Sequence, residues 1–254
     1  MTDVNAIWIG DTLSPLHRGC LSSFLEHGYK VRLHTYSNIK GVPEGVEIFD
    51  ARKLMTEDEI VRHRRSGSLA LASDVYRYRI MKSDLGTYVD CDIYCFRALP
   101  DGNYLFGWEA DSVVGSAVLR FPCSCFALAE MSRAADDPFF IPWWDKPLRR
   151  RFRKIRKVIG TPVPVSKQKW GTIGPLLVHN SAKLHGILGE AQPIDVLFPV
   201  SYHHVSLLND PGLKIQDLCT PRTCTIHLWD SLTNRNDYRE GGILHAISSG
   251  KNIL

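Results

Sequence analysis

The pattern that most constrains this chain is a strand, a helix and a second strand in immediate succession near its amino end. "NAIWIG" (Asn5 to Gly10) is an apolar run of strand length, a polar turn and a helix over about Pro15 to His27 follow, and "KVRLHTY" (Lys30 to Tyr36) alternates with the period of a strand. Strands joined through a helix run parallel, so the chain is expected to form an α/β fold with a mainly parallel central sheet. Its ligands are then expected at the carboxyl ends of the strands. A third short strand is predicted at Val46 to Phe49. The stretch "SLALASDVYRYRIMKSDLG" is built of helix formers, and Gly86 is placed to terminate it before the next strand, "YVDCDIYC" (Tyr88 to Cys95).

That strand carries Asp90 and Asp92 one residue apart. In an extended strand such residues share a face only about 6.6 Å apart. Tyr88, Val89, Ile93, Tyr94 and Phe96 are β-formers, so both acids are expected within or at the end of a largely buried strand, where they need partners. Lysines and arginines at a solvated strand end are the ordinary solution. A hard divalent cation such as Mg²⁺ or Mn²⁺ is the other: it takes one or two carboxylates and keeps positions open for phosphate. On the preceding helix, Asp74, Arg77 and Tyr78 fall on one face. A planar guanidinium there suits phosphate or sugar oxygens as well as it suits a plain ion pair.

Composition narrows the setting. The chain of 254 residues is 44% hydrophobic, long enough for one large domain, and it has no apolar run of membrane-spanning length. The start, "MTDVNAIWIGD", lacks the features of a signal peptide, and the odd number of cysteines, seven, shows no metal-ligand spacing; a cytoplasmic setting with reduced thiols is expected. Net charge is +4, but eight basic residues and no acid lie in "KPLRRRFRKIRK" (Lys146 to Lys157), so the rest of the chain carries −4. That asymmetry argues for a local anionic partner and against a protein that coats nucleic acid. Leu148, Phe152, Ile155 and Ile159 fall on one face of a helix. Its basic side is expected to be solvated, tied to the protein's own acids, or in peripheral contact with an anionic membrane, the inner membrane surface, through residues 146–159.

Taken together, "ASDVYRYRIMKSDLGTYVDCD" resembles the sugar-binding region of DxD glycosyltransferases, the type found among yeast-like mannosyltransferases, bacterial polysaccharide transferases and clostridial glucosylating toxins. "IWIG", "FGWE", "GTIGPLLVHN" and "IHLWDS" agree in order, so the resemblance spans nearly the whole chain. Two departures stand out: Leu85 and Gly86 replace a pair of glycines, and His227 is single where relatives often show paired histidines.

The resemblance implies one GT-A domain over residues 1–254, a nucleotide-binding α/β sandwich. The implied reaction moves a hexose from a nucleotide diphosphate sugar, a UDP sugar, to a glycan or lipid-linked glycan with retention of configuration, using Mn²⁺ or Mg²⁺. By the same resemblance Asp92 is the direct metal ligand, Asp90 partners the ribose or the metal through water, and His227 completes the metal site. Asp74 and Arg77 hold the sugar hydroxyls and the diphosphate, and Trp8 stacks on uracil or belongs to the core. Trp108, Glu109 and the loop Gly115, Ser116, Ala117 border the donor sugar or else serve turn and core, "GTIGP" is a wall of the site, and Phe198 to Tyr202 reads as a buried strand. Two other classes compete with this one. A DxD phosphohydrolase, in which the first acid attacks phosphorus, resembles a D-x-D-x-T/V pattern near the amino terminus, whereas here the fifth residue is Tyr94. A non-catalytic sugar-binding module leaves the acid pair unexplained.

Overall fold

The computed structural model describes residues 3–233 and 238–251. Strand β1 (Val4–Trp8), helix α1 (Pro15–Glu26) and strand β2 (Val31–Thr35) form the expected unit, with β1 and β2 parallel and Val4 opposite Val31. Ser14 caps α1 by accepting from the backbone N–H of His17, and Pro15 takes the first helical position, where an N–H has no partner to lose. Strand β3 (Glu47–Asp50) adds in parallel outside β2, one residue later than expected. Helix α2 (Ala70–Lys82) then leads to β4 (Thr87–Val89), which pairs in parallel with the other edge of β1.

Gly86 has a different role from the one expected. The residue that ends α2 is Asp84, at φ 55°, with the N–H groups of Asp84 and Leu85 returning to the carbonyls of Met81 and Ile80. Gly86 follows at φ 113°, and a side chain there would collide with the backbone of Asp3. It lets β4 enter against the start of β1.

The acid pair does not lie along one continuous strand. Asp90 directly follows β4, and Asp92 lies in the turn before β5 (Ile93–Cys95), where the Ile93 N–H closes onto the Asp90 carbonyl at 3.1 Å. Here the chain leaves the main sheet. After the hairpin β6 (Trp108–Ala110) and β7 (Val113–Val114), strand β8 (Val118–Leu119) returns antiparallel to β4, which completes the order β3-β2-β1-β4-β8.

Helices α3 (Phe126–Asp136), α4 (Pro147–Val158), α5 (Pro175–Leu184) and α6 (Ile194–Leu197) follow, then β9 (Thr225–His227), antiparallel to β5, and α7 (Ile243–Ser248). Residues Phe198 to Tyr202 form no strand. The Phe198 N–H closes α6 on the Ile194 carbonyl at 2.8 Å, and Pro199 has no N–H to give a ladder.

The sheet is covered on both faces. Val4, Ala6, Val31 and Leu33 pack with Leu21 and Phe24 of α1, while Ile7 belongs to the opposite cluster with Tyr76, Ile80 and Met81 of α2, Leu128 and Met131 of α3 and Leu177 of α5. Helix α4 lies outside these cores. It forms where its periodicity predicts, but Leu148, Phe152, Ile155 and Ile159 face solvent and its single buried side chain is Arg153. Among the described residues, no helix is long and apolar enough to cross a membrane.

Candidate active site

The site forms at the carboxyl ends of β1 and β4, where an α/β sheet leaves a crevice for ligands. From α2, Asp74 and Arg77 reach under this crevice. Arg77 is 3% exposed. Its Nη2 contacts Oδ1 of Asp74 and Oδ1 of Asp90, each at 3.2 Å, its Nη1 donates to the Ser116 carbonyl, and its Nε donates to the Ser73 carbonyl at 3.3 Å. The guanidinium also lies 4.7 Å over the Tyr88 ring, whose hydroxyl donates to Asp90. Three of its five N–H groups are hydrogen-bonded, one each from Nε, Nη1 and Nη2, and Asp74 adds an ion pair, so Arg77 organises the acids.

Asp92 sits on the other side of the turn. Its Oδ2 accepts from the Asp230 N–H at 3.0 Å and lies 3.4 Å from Nε2 of His227. Ligand atoms of Asp90, Asp92 and His227 all lie within 4.8 Å of one another. Two donors bound to one ion at about 2.1 Å are at most about 4.2 Å apart, so the group closes on a cation by a shift of a few tenths of an ångström per side chain. Nδ1 of His227 is buried and has no hydrogen-bond partner among the described residues. Two carboxylates and an imidazole fit a divalent cation.

Charge runs in the same direction. Asp74, Asp90, Asp92 and Glu109 line one cavity with a single permanent cation, Arg77. Burial raises Asp74 to about 7 against the pull of Arg77, with Asp90 adding to the rise. Burial likewise raises Asp90 and Glu109. Asp92 moves the opposite way: burial opposes it, but His227, His17 and the Asp230 amide hold it well below the ordinary carboxylate range. The reciprocal effect raises His227 above its usual value in spite of its burial.

Two joined cavities surround these groups. The outer one, about 360 Å³, is lined by Trp8, Ile9, His17, Ser68, Asp92 and Asp230. Trp8 stands 4.5 Å from the His17 ring, its Nε1 buried without a hydrogen-bond partner among the described residues. His17 meets Ser14 Oγ at 2.6 Å through Nδ1 and Asp230 at 3.6 Å through Nε2, so Trp8 and the acid turn share one wall. The inner cavity, about 130 Å³, lies among Asp74, Glu109, Ser116, Trp170, His227 and Trp229. Ser116 contributes the carbonyl that holds Arg77 as well as a stretch of this wall.

Several site residues were not singled out in the sequence. Trp229, at φ 54°, is a bulky residue in the left-handed region; its Nε1 donates to the Val200 carbonyl at 2.9 Å and its ring lies 3.8 Å from that of His227. Its position two residues beyond His227 was the available signal. Tyr88, two before Asp90, could be found in the same way. Gly174 in "GTIGP" is explained only by the fold: a Cβ there would stand 2.6 Å from Oδ1 of Asp74. That contact brings the loop containing Trp170 against α2.

No protein-family model matches the chain, and no curated protein matches it. Among solved structures it is similar to "PaToxG Glycosyltransferase", at 14% identity and a TM-score of 0.46, over 72% of this chain and 68% of that one. It is also similar to the solved structure of a transferase mutant carrying cysteine-to-serine changes, at 14% identity and a TM-score of 0.34, over 67% of this chain and 88% of that one. Both overlaps are loose.

Proposed function

We propose that the chain is a metal-dependent glycosyltransferase of the GT-A type, one domain over residues 1–254, that moves a hexose from a nucleotide diphosphate sugar to a glycan or lipid-linked glycan. The observation that carries this reading is the Asp90, Asp92 and His227 group, set at the carboxyl ends of parallel strands between an aromatic-walled outer cavity and an acid-lined inner one. The mixed oxygen and nitrogen donor set favours Mn²⁺ over Mg²⁺, since magnesium prefers oxygen alone. Bound there, the cation would supply Lewis-acid stabilisation of the diphosphate leaving group.

The chain's own residues divide the remaining work. Trp8 offers a flat face for a base, and UDP is the nucleotide proposed. Asp92, ionised, and His227 would hold the cation, with Asp90 at the ribose or at the metal through water. Asp74, poised near neutrality in the inner cavity, can accept from or donate to a sugar hydroxyl. Arg77 fixes Asp74 and Asp90 at their spacing and can offer a remaining N–H to the donor. Retention of configuration belongs to the same proposal through the resemblance.

The test is a screen of nucleotide sugars for binding and slow hydrolysis with Mn²⁺ present. The expected result is metal-dependent hydrolysis of a UDP sugar that is lost in Asp92→Asn. Hydrolysis of simple phosphomonoesters with no nucleotide-sugar binding would replace the transferase by a phosphohydrolase.

A further inference from the structure

Helix α4 is amphipathic in the reverse sense from a helix that packs on a core. At 100° per residue, Leu148, Phe152, Ile155 and Ile159 fall within an arc of about 60°. That arc faces solvent, with Leu148 82% and Phe152 60% exposed, and Val158 extends it at 87%. The opposite side faces the protein. Arg153 is buried there, with Nη1 2.7 Å from Oε1 of Gln168 and 3.2 Å from Asp145, and Lys157 pairs with Asp137 at 3.0 Å. Gln168 in turn donates to the Phe140 carbonyl at 2.7 Å, and its own carbonyl lies 3.1 Å from Nε2 of His63. The helix is thus held in this orientation by a buried polar anchor, at the cost of leaving an apolar stripe in water.

We infer that this stripe is a docking face for an anionic membrane surface. The charges beside the stripe favour that occupant. Arg151 flanks it on one side and Arg149 and Arg156 on the other, and Arg150, Arg151 and Lys154 make no ion pair among the described residues. An apolar face rimmed by arginines and lysines is what an interfacial helix presents to acyl chains and acidic headgroups. A second copy of the chain would have to bring these cationic rims together. Nucleic acid would use the cations and leave the aliphatic stripe exposed.

The place of the helix fits the proposed reaction. Gln168, which holds Arg153, lies two residues before Trp170, an exposed residue on the wall of the inner cavity. With α4 docked, that wall would lie behind the helix, one helix diameter of about 10 Å from the bilayer surface where a lipid-linked acceptor resides. This last step rests on the transferase reading; the docking face itself does not.

The test is co-sedimentation of the full chain with phosphatidylcholine vesicles containing roughly one-third phosphatidylserine, at low and at physiological salt, with pure phosphatidylcholine as the reference. The wild type is expected to bind the anionic vesicles at least about tenfold more tightly, and less tightly as salt rises. Leu148, Phe152 and Ile155 changed together to Ser should lose binding by about tenfold or more while keeping the wild-type melting temperature and nucleotide-sugar hydrolysis in solution. Arg151→Gln with Lys154→Gln should weaken binding and flatten its salt dependence. Wild-type protein that ignores anionic vesicles at low salt overturns the inference, as does undiminished binding by the triple serine variant. A dimer that the triple variant dissolves, without vesicle binding, assigns the stripe to a second copy. Tight binding of duplex DNA or RNA that survives the triple change assigns the helix to nucleic acid. Vesicle binding itself needs no donor, so the transferase proposal stands or falls separately.

Discussion

Replacing Arg77 by lysine keeps the charge and removes the fork, and the structure sets what this should cost. Arg77 holds two carboxylates, Asp74 and Asp90, and two carbonyls, those of Ser73 and Ser116. A single ammonium nitrogen at the end of a shorter chain can stay with the carboxylates but cannot also reach two carbonyls on different sides. Two charge-assisted hydrogen bonds at about 1.5 kcal/mol each are lost, and the stacking on Tyr88 adds about 1 kcal/mol, for a total of ~4 kcal/mol. The buried position also favours neutral lysine, which would leave the acids without their cation. Arg79 provides the control on the outer side of the same helix, where it pairs with Glu59 and Asp136 at 2.7 and 2.9 Å in a partly exposed network. Arg79→Lys should cost less than about 1 kcal/mol. Urea denaturation of the two variants checks the difference, and Mn²⁺ titration of the folded Arg77→Lys protein should show weakened binding. If Arg77→Lys is as mild as Arg79→Lys, Arg77 is an electrostatic neighbour and its set of contacts does not organise the site.

Four further outcomes are expected. Asp92→Asn should fold normally but bind Mn²⁺ about a hundredfold or more less tightly, beyond the range for an outer-shell partner, as read by calorimetry; unchanged affinity would remove Asp92 from the metal group. Gly174→Ala puts a Cβ 2.6 Å from Asp74, which must then retreat by about 0.8 Å to ordinary contact and lose its bond to Arg77, costing about 2 kcal/mol in urea midpoints; wild-type stability would show that the loop yields instead. His34 is held neutral, lowered to about 3 mainly by burial, with Asn5 Oδ1 at 3.0 Å and the Tyr76 hydroxyl at 2.8 Å. The unfolded chain therefore takes up a proton that the folded one refuses as pH falls from about 6.5 to 3, so stability should drop by up to about 1.4 kcal/mol per pH unit in that window and His34→Gln should drop less steeply, read from melting temperatures. Trp8→Ala should weaken UDP binding by about 1–3 kcal/mol with the fold intact; a large loss of stability at unchanged UDP affinity would return Trp8 to the core.

What was legible in the sequence is what depends on local pattern. The apolar run at Asn5 to Gly10 and the alternation at Lys30 to Tyr36 report strands because each residue's burial repeats with the geometry of its own backbone. The α4 stripe was legible for the same reason, but its direction was not: periodicity says that a helix has two faces and nothing about which one the protein claims. The claim is made by Asp145, Gln168 and Asp137, all outside the helix. Phe198 to Tyr202 failed as a strand because its apolar character serves burial around α6, while Pro199 removes a ladder donor. Gly86 looked like a helix stop because glycine usually is one, and the close approach that requires it is by Asp3, the residue just before β1 and more than eighty residues earlier.

The acid pair was visible as a motif and opaque as geometry. Two carboxylates on one continuous strand would face each other with no means of adjusting their distance, whereas the chain turns between them because β4 belongs to the main sheet and β5 pairs with β9. That switch does two things at once. It frees Asp90 to lean towards Arg77 and Tyr88 while Asp92 leans towards His227, so each acid has its own partner and the repulsion between them is offset from both sides. It also delivers β9 to the site: with Ile93 opposite His227 in the ladder, the backbone places His227 beside Asp92, and the Asp230 N–H, 138 residues along the chain from Asp92, closes the turn onto its carboxylate. A cation held by this group would therefore join the end of the parallel sheet to the carboxyl-terminal segment, and metal binding should stabilise β9 and the Trp229 turn together. Hydrogen exchange with and without Mn²⁺ reads this directly: protection should rise in residues 225–230 along with the turn at 90–93. Protection confined to 90–93 would mean that the two acids bind the ion without His227.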